Sequence, residues 1–503
     1  MVFPSRKYAL LPLAICLAST SSYAATNADL ERRLEEQEKK IKKLERKLTG
    51  TRGAVKQNRN RISDISDRFK VNGFFSGGIA VNDGDDAELA IYDIGDNFSA
   101  QAVSRLGIQM TFKVTDDMNL TGQLVSRGVN DYKLEAEWAY LSWDVSNDFT
   151  LRIGRQRTPY YLLSEYLEVG YAYPWVRPPI ELYNIPISSN DGVSLLYDFA
   201  VGDWNISTQG YFGSSKGFAD QLEGEFKLNQ GWGVAVFAEN GPWTLRVGYN
   251  TSNLDVESRI DGGIGDQLLE GVEGMQAGLA QFAPLAVPLA EAGYPVPTIN
   301  TLPLENVETQ YISAAASYDD GSLLVIAEIA NLRVVDFVQP AGDGGYLTVG
   351  YRFGKWMPHF TYGKFYTDAK NDAQVQEYLD AAAYVYALTN GVSGDPNEAA
   401  LHFGAQALYN NLSMLVQQQT SYTLGLTYDI NNRVKAKFEV ALYEEFGKVS
   451  QIAGEGSAET VFPGLTANSI DYTQLDGNGR FTGAPGATNG STAIYSFSID
   501  AVF

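Results

Sequence analysis

The chain is poor in the groups that usually staple or equip a domain. Its 503 residues include one cysteine, Cys16, and two histidines, His359 and His402. Cys16 lies within the first two dozen residues, so disulfides and thiolate chemistry are excluded from the rest of the chain. No zinc spacing, phosphate-cradling loop or nucleotide motif occurs. Neither histidine lies in a nucleophile motif, so nucleophile, base and orienter cannot be assembled, and no enzyme, cofactor or metal is expected. After Arg68 no apolar run of about 18 residues occurs, which excludes a helical membrane span there.

Positive charge is also scarce, with 38 Lys and Arg against 60 Asp and Glu and a net charge of −22. Removing Arg6 and Lys7 leaves −24; residues 27–70 carry 14 basic and 8 acidic side chains, or +6, so the remainder carries −30. A body this acidic is unsuited to nucleic acid, and no nucleic-acid partner is expected. The acidic stretches "DGDD" and "AGDGG" lack the ligand spacing of a calcium loop and read as solvated loops. What is abundant favours strands and turns: 30 Tyr, 24 Phe and 49 Gly against 18 Pro.

Residues 1–24 have the basic start, short apolar core and small-residue exit of a secretory signal peptide, with cleavage expected after Ala24. Residues 25–66 follow a heptad seam. Leu30, Leu34, Gln37, Ile41, Leu44 and Leu48 alternate in spacing by four and three, and Val55, Asn58, Ile62, Ile65 and Phe69 continue the register. A helix with so narrow an apolar stripe needs partner helices, and identical chains are the nearest source. Gln37 and Asn58 leave the oligomer number open. The +6 charge of residues 27–70 suits an anionic periplasmic layer such as peptidoglycan.

From residue 67 onward, segments of about ten residues alternate apolar and polar side chains, the signature of a transmembrane β-barrel. In "WTLRVGYN", Trp243, Leu245, Val247 and Tyr249 alternate with Thr244, Arg246, Gly248 and Asn250. Sixteen strands are expected, near 69–82, 100–114, 117–128, 132–145, 148–156, 191–200, 202–214, 230–240, 243–252, 308–319, 321–334, 345–353, 355–368, 419–430, 432–447 and 491–503. Tight turns such as "TDD", "SND", "DDG" and "INN" follow the even strands, and long segments follow most odd ones. That sorting predicts an all-β outer-membrane barrel, with short periplasmic turns and long external loops. The last strand, "STAIYSFSIDAVF", is expected to close the barrel against strand one near "RFKVNGFFSGG".

This combination of strand count, turn asymmetry, long loop between strands five and six, and terminal aromatic residue resembles the trimeric bacterial porins. The resemblance is strongest to those with an N-terminal periplasmic coiled coil. It implies a homotrimer in the cell outer membrane, contact with outer-membrane lipids and handling by the barrel-assembly machinery. The implied function is a water-filled channel for passive diffusion of small hydrophilic solutes, or alternatively a channel selective for small anions such as dicarboxylates or phosphate. In that family the third loop folds inward and narrows the pore. Here the third loop, 157–190, is rich in aromatics and proline, and burying it against the barrel interior would shelter its Leu and Tyr residues; packing over the rim or on a neighbouring subunit is the other option.

Strand parity predicts Arg105, Arg127, Arg152, Arg246 and Arg352 on the lumen face. Arg155 and Arg157 sit at the exit of strand five. The third loop adds Glu165, Glu168, Arg177 and Glu181, and a basic wall facing an acidic loop would set up a transverse field. Glu135 and Glu137 are nearby carboxylates with which any one arginine can pair. His359 falls on the lumen face as a wall residue.

Overall fold

A computed structural model of the chain describes residues 68–83, 87–89, 94–183, 187–219, 224–258, 264–291, 296–299, 304–334, 342–367, 418–444, 481–483 and 491–503, with isolated residues between them and in 32–47. The chain divides into two units, Met1–Asp67 and Arg68–Phe503. In the first, the described residues between 32 and 47 are helical and exposed, Ile41 of the expected seam among them. Phe69, read as the last position of the seam, instead opens the first strand of the barrel, opposite Phe112; the signal peptide and the remaining seam positions lie outside the described residues, as does His402.

In the second unit sixteen antiparallel strands form a closed barrel. The first eight are β1 (Phe69–Asn82), β2 (Arg105–Lys113), β3 (Met118–Arg127), β4 (Leu134–Asp144), β5 (Phe149–Arg157), β6 (Ser189–Val201), β7 (Trp204–Ala219) and β8 (Gly224–Asn240). The rest are β9 (Trp243–Ser258), β10 (Val307–Asp319), β11 (Leu323–Val334), β12 (Gly342–Tyr351), β13 (Trp356–Thr367), β14 (Gln418–Asn431), β15 (Val434–Glu444) and β16 (Ser491–Val502). Each strand pairs with its sequence neighbours, and β16 returns to β1 with Phe74 opposite Val502 and Asn82 opposite Ile494. Closure leaves no unpaired sheet edge.

Alternation decides the faces. Trp243, Leu245 and Val247 of β9, and Tyr495, Phe497 and Ile499 of β16, point outward and are exposed, whereas Arg246, Ser496, Ser498 and Asp500 point inward and are buried. An apolar exterior around a polar interior inverts the pattern of a water-soluble domain and matches a lipid-facing barrel. Connections at one end are short, 114–117, 145–148, 202–203, 241–242, 320–322, 352–355 and 432–433; the long ones, including 158–188 and 259–306, lie at the other. The turn after β10 shows why "DDG" reverses the chain. The Asp320 carboxylate accepts the N–H groups of Ser322 and Leu323, both at 2.8 Å, standing in for a backbone turn.

Three features depart from the sequence reading. Strands β7, β8 and β9 run well past 214, 230 and 252; there Leu254 and Val256 of β9 are buried while the other face is charged and paired across strands, Lys216–Glu225 at 2.6 Å and Lys227–Glu257 at 2.5 Å. The long segment after β9 contains a helix, α1 (Ile264–Gln281), which packs on β9 and buries Val272, Met275 and Leu279. Four glycines within its sequence, at 265, 271, 274 and 278, lower helix propensity and mask the spacing. The first loop is not simply a solvated acidic segment. Leu89 and Ile94 are fully buried with Val176 and Ile180 of the third loop and Ile494 of β16. "AGDGG" likewise begins β12, where Asp343 accepts from Asn331 at 2.9 Å.

Candidate functional site: the third loop within the barrel

Between Arg157 and Ser189 the chain turns into the barrel. Tyr160–Leu163, Tyr173, Trp175, Leu182 and Tyr183 form one apolar cluster with Tyr311 and Ala315 of β10, Leu324 and Ile326 of β11, Tyr346 of β12 and Met357 of β13. On this side the inner wall is itself apolar, which a lumen filled only with water would not favour. The rings meet edge to face, Trp175 on Tyr346 at 5.5 Å and 90°, and Tyr160 on Tyr311 at 5.3 Å and 74°, the geometry that aromatic quadrupoles prefer. Trp175 Nε1 donates to Thr361 Oγ1 at 2.8 Å.

A loop without regular secondary structure brings unpaired backbone groups inside, and those need partners. Wall side chains supply them. Glu328 of β11 accepts the Leu162 N–H at 2.7 Å and the Tyr183 hydroxyl at 2.6 Å. Lys437 of β15 donates to the carbonyls of Gly170 at 2.5 Å and Trp175 at 2.7 Å, and pairs with Asp500 of β16 at 3.0 Å. Thr427 donates to the Pro174 carbonyl at 2.9 Å, and Arg246 to the Pro159 carbonyl. At Gly170 the loop touches the wall so closely that a Cβ would stand 2.3 Å from Asp500 Oδ1 and 2.5 Å from Ser76 Oγ. Any larger residue there would have to displace the Asp500 carboxylate and the Ser76 hydroxyl.

The charged flank is built on Glu168. This buried loop carboxylate accepts from Arg127 Nη2 at 2.7 Å and Nε at 3.2 Å, and from Arg157 Nη2 at 3.2 Å, with Arg105 Nη1 at 3.9 Å. Burial acts to raise the Glu168 carboxyl, but the Arg127 and Arg157 guanidinium groups outweigh it and hold it well below the usual carboxylate range. Arg127 also pairs with Glu135 at 2.5 Å and with Glu137, which Arg157 approaches to 3.4 Å. A bulge in β4, opposite the Gln123–Leu124 step of β3, leaves Glu137 as the extra residue between Ala136 and Trp138, so that Glu137 and Trp138 both turn inward. Arg105 donates to the Tyr173 hydroxyl at 2.6 Å.

The remaining predicted residues are dispersed. Arg152 reaches Glu165 at 3.2 Å and lies over the Tyr140 ring at 5.3 Å. Arg155 is directly opposite Asp191 of β6 and forms two hydrogen bonds to it, both at 2.7 Å. The pair shares the outward face with Ile153 and Val193, so Arg155, expected with the other arginines of the constriction, does not line the pore: an odd offset from Arg152 puts it on the opposite face of β5. Arg177 donates to Ser496 at 2.9 Å and covers the Tyr92 ring at 5.3 Å. Glu181 is buried and accepts from Gln419 at 2.8 Å. Arg352 pairs with Asp319 at 2.5 Å, and His359 is buried in the wall 4.0 Å from Glu439. Sequence reasoning passed over Lys437, Glu328 and Asp500 as fasteners; their inward parity was the available signal. The transverse field drawn from the sequence also changes form, since Glu168 touches the arginines instead of facing them across a gap.

Among solved structures the chain is similar to an anion-selective porin from Comamonas acidovorans, with a TM-score of 0.46 and 11% identity over 86% of this chain and 99% of that one. It is also similar to OmpF of Salmonella typhi in complex with daunomycin, at 0.45 and 11% over 86% and 97%. The outer membrane channel DcaP of Acinetobacter baumannii gives 0.42 and 10% over 86% and 97%. No protein-family model matches the chain, and no curated protein matches it. At these scores the likeness carries no argument about activity, and the barrel stands on its own strand pairing.

Proposed function

We propose that this chain is an outer-membrane porin, a water-filled channel through which small hydrophilic solutes diffuse passively. The observation that carries the reading is a closed sixteen-strand barrel, apolar outside and polar inside, with a long loop folded into its interior. Barrels of sixteen strands are wide enough for an aqueous path, and an inward loop sets its width. In this reading residues 1–24 are removed on export and residues 25–66 form a periplasmic coiled coil that joins three copies, with the anionic cell-wall layer as its further partner. The path runs beside the exposed edge of the third loop, around Glu165 and Tyr166, with Arg105, Arg127, Arg152, Arg157, Glu168, Arg177 and Glu181 behind it.

The test is conductance of the purified protein in a planar bilayer. Stepwise openings whose size rises in proportion to bulk salt support a diffusion pore; a barrel folded by heat-modifiability and circular dichroism but electrically silent would sink it. A selective site for small anions is less well supported, because Arg127 and Arg157 are already taken up by carboxylates and Arg105 by the Tyr173 hydroxyl. Removing residues 25–66 tests the coiled coil separately: an oligomer of unchanged size and heat resistance would remove its assembly role.

A further inference from the structure

The ion pairs that line the barrel interior show one asymmetry. In those that reach open water, the carboxylate is more open than its cation, whereas the pairs around Glu168 and Lys437–Asp500 are buried on both sides. Glu165 is 45% exposed against 20% for Arg152, and Glu135 is 43% against 17% for Arg127. Toward the short-turn end, Asp429 is 47% exposed against 21% for Lys435, and Asp319 is 41% against 31% for Arg352. The cations are turned away from the open space by other partners. Arg152 lies on the Tyr140 ring, Lys435 lies 4.4 Å from the centre of the Tyr171 ring, and Arg127 is bound by Glu137 and Glu168. Arg157, Arg246 and Lys437 are buried outright.

A close ion pair cancels at a distance, but an ion a few ångströms away responds to whichever partner is nearer. In this lumen that partner is an oxygen. The body of the chain, at −30, adds a field of the same sign. The two fields that oppose each other in the bare sequence, basic strands against acidic loops, therefore do not oppose each other in the folded protein, because the basic side is neutralised and covered.

Building on the channel reading above, we infer that the channel prefers cations, namely small inorganic cations and protonated amines, and that Glu165 and Asp429 are its specificity-determining residues. The experiment is the reversal potential of the full-length protein in a planar bilayer under a KCl gradient. The sign is expected to be that of K⁺ over Cl⁻. Glu165→Gln combined with Asp429→Asn is expected to shift the potential toward zero, and Arg152→Gln to shift it further in the cation direction. A wild-type potential of the anion sign, or a double variant with the wild-type potential, overturns the inference while leaving the channel itself intact. A folded protein with no conductance overturns the channel reading instead.

Discussion

The two flanks of the third loop are held by different physics. Toward β10–β13 the contact is a cluster of rings and aliphatic side chains pierced by one carboxylate, Glu328. Toward β2, β3 and β5 it is a knot of three arginines and three glutamates, closed by Glu168. Packing of the first kind depends on shape and volume and is nearly indifferent to pH and salt. A buried knot of the second kind depends on every partner staying charged, and loses most when one is removed.

Breaking the apolar flank is expected to cost most. Trp175→Ala removes a ring that is 1% exposed and should lower stability by about 3–5 kcal/mol, read as a fall in melting temperature in detergent, with larger and noisier conductance as the loop loosens. Lys437→Met is next: it leaves two loop carbonyls without their donor and Asp500 without its cation and should cost about 3 kcal/mol. Equal melting of Lys437→Met and wild type would show that the carbonyls find other donors. Glu168→Gln should cost less, about 2 kcal/mol, because Glu135 and Glu137 still serve Arg127 and Arg157.

The last variant also separates the flanks by pH. A carboxyl held below its ordinary value stabilises the fold above the unfolded pKa, and that stabilisation is lost as pH falls toward the lowered one. The gap between wild type and Glu168→Gln should therefore be full at neutral pH and narrow below about pH 4.3. The deficit of Trp175→Ala should not move over the same range. If both deficits narrow together, the two flanks are not independent.

The strands were largely legible because lipid outside and polar groups inside impose period two on every one of them, and turn chemistry marks where they reverse. What the period could not supply was partnership. Glu168 and Arg127 are 41 residues apart, and nothing local to either says that they meet. Arg155 was grouped with the pore arginines by its place at the strand exit, although its odd offset from Arg152 puts it on the other face, and α1 was hidden by glycines that tertiary packing tolerates. The inward turn of the first loop was masked by its aspartates, which drew the eye from Leu89 and Ile94. The inward third loop was anticipated from its position and its surplus of rings, but not the identity of its fasteners.

Those fasteners also fix an order of events. Lys437 binds a carbonyl 267 residues away, and Arg177 reaches a serine 319 residues away. Both partners belong to the last two strands, so they are not in place until the barrel is nearly shut. Contacts of such long sequence separation form late, after the loops between them have been closed. The third loop must therefore wait inside an unfinished barrel, and its docking against β15 and β16 is a final step that only a closed barrel can complete.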